Sequence, residues 1–215
     1  MKIGIIGSAQ VGQVLARGFQ SEGHDVVIGT RNPAKKELAD FKKNNASVRV
    51  ATFEETAASA ELIVLATAGG VVEEAIRMAG LHNFNNKVVI DATNPLDHQP
   101  PVNGVLKFFT DLNSSLMERI QQLIPDAKLV KAFNSVGSAL MYKPSLKEGT
   151  PSMFICGNDD EAKITVTAIL TSFGWETEDM GKAEAARAIE PLCILWCIPG
   201  FLRNSWSHAF KLLKS

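Results

Sequence analysis

Lys2-Ile3-Gly4-Ile5-Ile6-Gly7-Ser8-Ala9-Gln10-Val11-Gly12 opens the chain, a branched apolar run that passes into a glycine turn without a spacer. The run has the composition of a strand buried on both faces. Gly7 to Gly12 reads G-x-A-x-x-G, one step from the dinucleotide-binding fingerprint. Gly7 is expected to make the tight turn, Ala9 to stand where backbone approaches a pyrophosphate, and Gly12 to let the next helix pack closely on the strand. The methyl of Ala9 is accommodated if the pyrophosphate lies slightly farther out. Glycines after an apolar run also make ordinary turns, so the fingerprint depends on its context. Val11 to Glu22 presents Val11, Leu15, Gly18 and Phe19 at helical spacing, and a helix N-terminus there offers free amides and partial positive charge to an anion. Asp25-Val-Val-Ile-Gly29 then supplies the second strand of a βαβ unit.

The end of that second strand selects the nucleotide. In NAD-specific sites an acid about 20 residues beyond the glycines accepts from the ribose 2′-hydroxyl. Here the place holds Thr30, Arg31 and Asn32, with Lys35 and Lys36 close behind. A carboxylate would repel a 2′-phosphate, whereas a guanidinium grips it through paired, charge-assisted hydrogen bonds and Thr30 adds a hydroxyl donor. The cofactor expected from this substitution is NADP(H). The alternative is that Arg31 and the lysines simply solvate the start of a surface helix.

Composition fits this and excludes other classes. At 215 residues the chain is expected to be one nucleotide-binding domain over 1–180 with a helical tail over 181–215 packed on it. Its 22 basic and 23 acidic residues leave no basic stripe for a nucleic-acid backbone, so no nucleic-acid partner is expected. The longest apolar stretch near the end, Leu192 to Leu202, contains Pro199 and Gly200 and is too short for a bilayer span. The apolar N-terminus is strand-length and unlike a signal peptide. Cys156, Cys193 and Cys197 lack CxxC spacing and suggest buried apolar roles in a reducing compartment, with no metal site. Together these predict a cytoplasmic protein without a membrane partner.

The remaining elements alternate as a doubly wound, mainly parallel Rossmann-type α/β sheet requires. Helices are expected over 33–43, 54–59, 71–79 and 114–123, with a further one running from a cap at Asp159 or Asp160 to about Ser172. Strands are expected over 48–51, 61–67, 87–92, 128–133, 152–156 and 175–178. A polar, proline-bearing loop from Leu96 to Asn113 is long enough to be functional. Ligands in such folds sit beyond the C-terminal ends of the strands. The candidates there are Gly7 to Gly12, Thr30 to Asn32, Thr67-Ala68-Gly69, Asn94-Pro95 and Ala132-Phe133-Asn134. Asn94 and Asn134 are placed to orient a carboxamide and ribose hydroxyls, although Asn-Pro and Asn-Ser are also ordinary turn pairs.

Alcohol dehydrogenases need a general base beside the nicotinamide, commonly His, Lys or Tyr. No such group is evident, and no catalytic side chain is assigned. Tyr142 has no Tyr-x-x-x-Lys spacing, His24 and His82 read as surface residues, and His208 reads as lying on a C-terminal helix without a partner. His98 alone falls near the site, in a loop. A flavin or deazaflavin ring accepts hydride with no side-chain proton donor, so the protein then has only to orient two rings.

Several motifs in order carry a family likeness: Ile5-Ile-Gly-Ser-Ala-Gln-Val-Gly12, Val27-Ile-Gly-Thr-Arg31, Asp91-Ala-Thr-Asn-Pro95, Val130-Lys-Ala-Phe-Asn-Ser135, Phe154-Ile-Cys-Gly-Asn-Asp159 and Ala186-Arg-Ala-Ile-Glu-Pro-Leu192. Over nearly its whole length the chain resembles the NADP oxidoreductases that use coenzyme F-420, a deazaflavin, and the cytosolic domain of the STEAP metalloreductases. The resemblance implies an NADP(H) site using Ser8 to Val11, Thr30, Arg31 and Lys35, with the nicotinamide near Ala132 to Asn134. It also implies a second substrate against that ring, near the chain's C-terminal end. Where the deazaflavin enzymes carry a histidine at the strand end this chain has Asn134, matching the metalloreductase-like Ala-Phe-Asn. After Glu190-Pro-Leu, the segment Trp196-Cys-Ile-Pro-Gly-Phe201 is similar to the metalloreductase junction.

Phe201 to Leu213 carries large apolar residues at helical spacing, which suggests a packed helix and a homodimer contact. The expected function is hydride transfer between NADPH and a small-molecule acceptor, flavin-like or deazaflavin. An imine or keto-acid reductase is the rival enzyme, though those proteins add a large helical domain after the sheet. A non-catalytic NADP(H)-binding redox sensor is the alternative from another class.

Overall fold

β1 (Lys2–Ile6) is buried from Ile3 onward and pairs in parallel on both sides, with β2 (Asp25–Gly29) and β4 (Leu62–Leu65). The structure is a computed structural model and describes residues 1–214. β3 (Arg49–Ala51) flanks β2, and β5 (Val88–Asp91), β6 (Lys128–Lys131), β7 (Ser152–Gly157) and β8 (Glu176–Asp179) continue beyond β4. The order is β3-β2-β1-β4-β5-β6-β7-β8, all parallel except that β7 runs antiparallel to β6. Strand order reverses between β1 and β4, and the loops leaving the two C-terminal ends there diverge to open a crevice.

Period-two alternation sends successive side chains to opposite faces, and each face has its own core. Ile3, Ile5, Leu62 and Val64 join one cluster with Leu15 and Phe19 of α1 (Gln10–Ser21) and Val166 and Leu170 of α6 (Asp160–Ser172). Ile6, Ile63 and Leu65 join the other. There they meet Ala57 of α3 (Phe53–Ser59), Ile76 of α4 (Val72–Ala79) and Ile120 of α5 (Leu116–Leu123). Three helix starts are set by side chains: Thr52 and Ser115 form capping boxes with Glu55 and Glu118, and Asp159 accepts from Ala162 N at 2.8 Å. Of the two aspartates considered for that last cap, Asp159 is the one used.

Four expectations are corrected. The helix expected over 33–43 is only α2 (Ala39–Asn44), preceded by a 3₁₀ turn at Lys36–Leu38. Asn32 is the cause: its Oδ1 accepts from Ala34 N, and a turn follows in which Lys35 N donates to Asn32 O. β6 ends at Lys131 rather than 133, because Phe133 adopts φ +63° and turns the chain.

The C-terminal helix also stops early. α7 (Ala186–Ile189) and α8 (Leu192–Arg203) end at Asn204, whose left-handed φ of +51° makes a C-cap. The tail beyond runs non-helically, with Phe210 O accepting from Ser152 N. His208 is therefore not on a helix, and it is partnered: its ring stacks on Trp196 at 5.0 Å, and Nε2 lies 2.9 Å from Trp196 O. Finally, the apolar segment is longer than the sequence suggested. Ala183–Arg203, a 3₁₀ turn followed by α7 and α8 with a turn at residues 190–191 between them, spans 21 residues and is long and apolar enough to cross a membrane by length and composition only, with a third of its most apolar 18-residue window buried in this fold.

Candidate functional site

The crevice at the switch point is built from the ends of β1, β2 and β4. Gly7 takes φ +127°, and a β-carbon there would lie 2.4 Å from Ala66 O, so only glycine lets the two strand ends approach. On Gly12 a β-carbon would lie 2.0 Å from Gly7 O, which is the close helix-to-strand contact the fingerprint calls for. We expect Gly12→Ala to push α1 off the turn, costing about 1–3 kcal/mol as overpacking does. Thermal unfolding of this variant beside an NADPH titration checks it: both the midpoint and the affinity fall.

α1 differs from α3, α5 and α6 at its start. Its N-cap is Ala9, which has no side chain to accept a hydrogen bond, and its first turn holds no acid. The free amides of that turn are thus left for an external anion.

A cavity of about 180 Å³ opens beside this turn. Of the sequence candidates it gathers Gly7, Ser8, Ala9, Thr30, Arg31, Lys35, Thr67 and Ala68. Thr30 is buried with its N donating to Ala51 O, while Arg31 is exposed and, among the described residues, has no carboxylate partner. The short turn at Asn32 brings Lys35 into the lining instead of onto a helix face. Gln10, Val11, Gly12 and Asn32 lie next to the cavity in sequence without lining it. The far wall was not foreseen: Phe53, Val71, Glu74, Ala75 and Met78 complete it. Val71, Ala75 and Met78 have the spacing of a helix's inward stripe, yet Val71 and Met78 are 38% and 45% exposed. That mismatch in an amphipathic helix is the signal that a sequence pattern alone conceals.

A second group forms farther along the sheet edge, past β4, β5 and β6. Gly69 packs so tightly on Asn94 that a β-carbon would stand 1.9 Å from Asn94 O. Asn94 Nδ2 donates to Asn134 O at 2.8 Å, and Asn134 Nδ2 donates to Asn94 Oδ1 and to Ile189 O at 3.0 Å. The two amides interlock. Asn134 Oδ1 and Thr67 Oγ1 are buried with no hydrogen-bond partner, so each leaves polar capacity open at the edge. Pro95 is buried behind Asn94. The side chains of Ala132 and Phe133 are fully buried in the apolar cluster, where Phe133 packs on Phe173 at 5.8 Å, which leaves only their backbone to face the edge.

Of the other groups weighed, Tyr142 donates to Glu22 at 2.8 Å, far from this edge in the chain's packing against α1. His98 faces the β4–α4 turn, where a β-carbon on Gly70 would lie 3.5 Å from its Nε2. Burial pushes the Cys156 thiol up to about 12, as suits an apolar role. Among the described residues no cluster of three or more His, Cys, Asp or Glu is placed to hold a metal.

Known proteins resemble this chain in sequence and fold. The family described as NADP oxidoreductase, coenzyme F420-dependent, matches residues 2–95. A crystal structure of a protein assigned as an F420-dependent NADP reductase from Arthrobacter sp. FB24 is 34% identical, with a TM-score of 0.94 over 100% of both chains. The chain belongs to this family. It shares that family's Rossmann-type fold. Metalloreductase STEAP3 of Rattus norvegicus is 30% identical over 210 residues, 94% of this chain. The chain spans only 39–40% of the length of the curated metalloreductases it matches. An imine reductase from Streptomyces aurantiacus, 16% identical with a TM-score of 0.67, covers 94% of this chain and 63% of its own, a likeness of fold alone.

Proposed function

We propose that this family member passes hydride from NADPH to a flavin-like or deazaflavin acceptor, with the dinucleotide laid along the sheet edge from Arg31 to Asn134. The observation that carries the placement is the cavity at the switch point, where an uncapped helix start meets Thr30, Arg31 and Lys35. Thr30, Arg31 and Lys35 hold the 2′-phosphate. The amides of Ser8 to Val11 take the pyrophosphate, and Val71 and Met78 give the adenine an apolar wall. Thr67, Ala68 and Gly69 flank the ribose, and the Asn94–Asn134 pair takes the carboxamide, with Asn134 Oδ1 free to accept its N–H.

NADPH, when bound, supplies the hydride. The chain's residues then have a positioning task, holding the reacting carbon near its acceptor and keeping the ring from turning over. Two interlocked amides suit that task, since neither ionises and each is held by the other. The family description and the 34% identical relative support a deazaflavin as acceptor. Asn134 in place of a histidine favours a broader flavin-like set.

Anaerobic mixing of the protein with NADPH and, separately, deazaflavin, FMN, FAD and a cyclic imine tests this. Loss of NADPH absorbance with a flavin or deazaflavin supports the assignment. Turnover only with the imine, or tight NADPH binding with no turnover, overturns it.

A further inference from the structure

Beneath the two asparagines lie three charged side chains that the hydride-transfer scheme does not use. Asp91 ends β5, Lys131 ends β6, and Glu190 follows α7; each is essentially shielded from solvent. Lys131 Nζ pairs ionically with Asp91 Oδ2 at 2.6 Å and Glu190 Oε1 at 2.9 Å and donates to Thr93 O at 2.9 Å. Asp91 Oδ1 accepts from Thr93 N and Thr93 Oγ1, at 2.9 and 2.7 Å. Glu190 accepts from Leu116 N and Met117 N, each at 3.0 Å, so its charge sits on the start of α5. Burial opposes the charge on Lys131, and the two carboxylates outweigh it and hold the ammonium above its ordinary value.

Two carboxylates and one ammonium carry a net negative charge, and the α5 amides offset what remains. Apolar side chains of similar volume would commonly be as stable here or more so, so stability alone does not account for the triad. Its connections do. Asp91 and Lys131 both fasten Thr93, the residue before Asn94. Glu190, anchored on the α5 amides, directly follows Ile189, whose carbonyl receives Asn134 Nδ2. Arg187, on the same helix, grips Glu118 of α5 through Nε at 3.0 Å, so α7 cannot shift without breaking ion pairs. Both asparagines are thus held, one residue removed, by the same buried ions.

We propose that the Asp91–Lys131–Glu190 triad is the positioning device of the hydride end, fixing Asn94 and Asn134 against the dihydronicotinamide so that it governs the chemical step and not dinucleotide affinity. The inference rests on the NADPH placement given above. Its residues lie at the ends of β5, β6 and α7, whereas Arg31 and the cavity lie past β1, β2 and β4, and this separation predicts a split in the kinetics. Glu190→Gln keeps the shape and removes one charge; Thr93→Val leaves the triad charged and cuts one hydroxyl link to Asn94's turn.

With purified protein, NADPH affinity is read by fluorescence titration, kcat with whichever acceptor the panel identifies, and nicotinamide mobility by time-resolved anisotropy of bound NADPH. The last needs no turnover. Glu190→Gln should keep NADPH affinity within about twofold while kcat falls roughly ten- to a hundredfold and the bound ring gains local motion, with Thr93→Val moving the same way by less. Should Glu190→Gln fail to fold, Thr93→Val decides alone. Affinity falling in step with kcat, or ring motion unchanged in a folded variant, overturns the triad's role. Wild-type protein that does not bind NADPH overturns the functional placement itself, which is a different result.

Discussion

Arg31→Ala is expected to weaken NADPH binding roughly ten- to a hundredfold and to leave NADH binding nearly unchanged, because hydrogen bonds to charged groups contribute about 1.5–3 kcal/mol each. Its guanidinium is exposed at the cavity rim and has no carboxylate partner among the described residues, so it is available to a phosphate without first breaking a pair. The hydroxyl of NADH offers no second negative charge, so the loss there is small. Calorimetric titration of both nucleotides against wild type and variant measures the discrimination directly. Raising the salt should narrow the wild-type preference, since an exposed charge is screened within about 10 Å at 0.1 M ionic strength. Lys35→Ala should follow in the same direction with a smaller effect, its ammonium lacking the bidentate fork. Equal losses for both nucleotides would place the 2′-phosphate elsewhere.

The half of the site nearest the N-terminus was legible because its requirements are local. Gly7, Gly12, Thr30 and Arg31 follow one another within a single βαβ unit, and a buried parallel strand leaves a run such as Leu62-Ile-Val-Leu65 that composition reveals. The far wall of the cavity was not legible: Val71 and Met78 look like core residues by spacing, and only the packed structure shows them half open to the crevice. Lys131 was present as a lone charge inside Leu-Val-Lys-Ala-Phe, an interruption that ordinarily argues against a central strand. Its partners stand 40 and 59 positions away, too far for any window of local pattern to join them. At Phe133 the pattern hid a turn: a positive φ sends the side chain into the apolar cluster beside Phe173. The tail misled because Phe201, Trp206 and Phe210 carry enough apolar surface to suggest a helix, while Asn204 stops one.

Lys131→Met should cost about 3–5 kcal/mol of stability, because it strips two buried carboxylates of the cation that pairs with both. For a chain of this size that corresponds to a fall of roughly 6–20 °C in the unfolding midpoint. The sign of the pH dependence follows from the shift on Lys131. A raised folded value means that its contribution is complete below the ordinary lysine value of 10.5 and is lost only as pH climbs beyond it, so wild-type stability from this group is flat across neutral pH. Calorimetric unfolding of wild type and variant at neutral pH measures the deficit, and a loss under about 1 kcal/mol would mean that the buried pairing is not what holds these elements together. The neutral triple variant Asp91→Asn, Lys131→Met, Glu190→Gln carries the same packing change without stranded charges. It should recover most of the lost stability while the bound nicotinamide stays loose, and that separation is what distinguishes ions kept for placing two asparagines from ions kept for holding the sheet together.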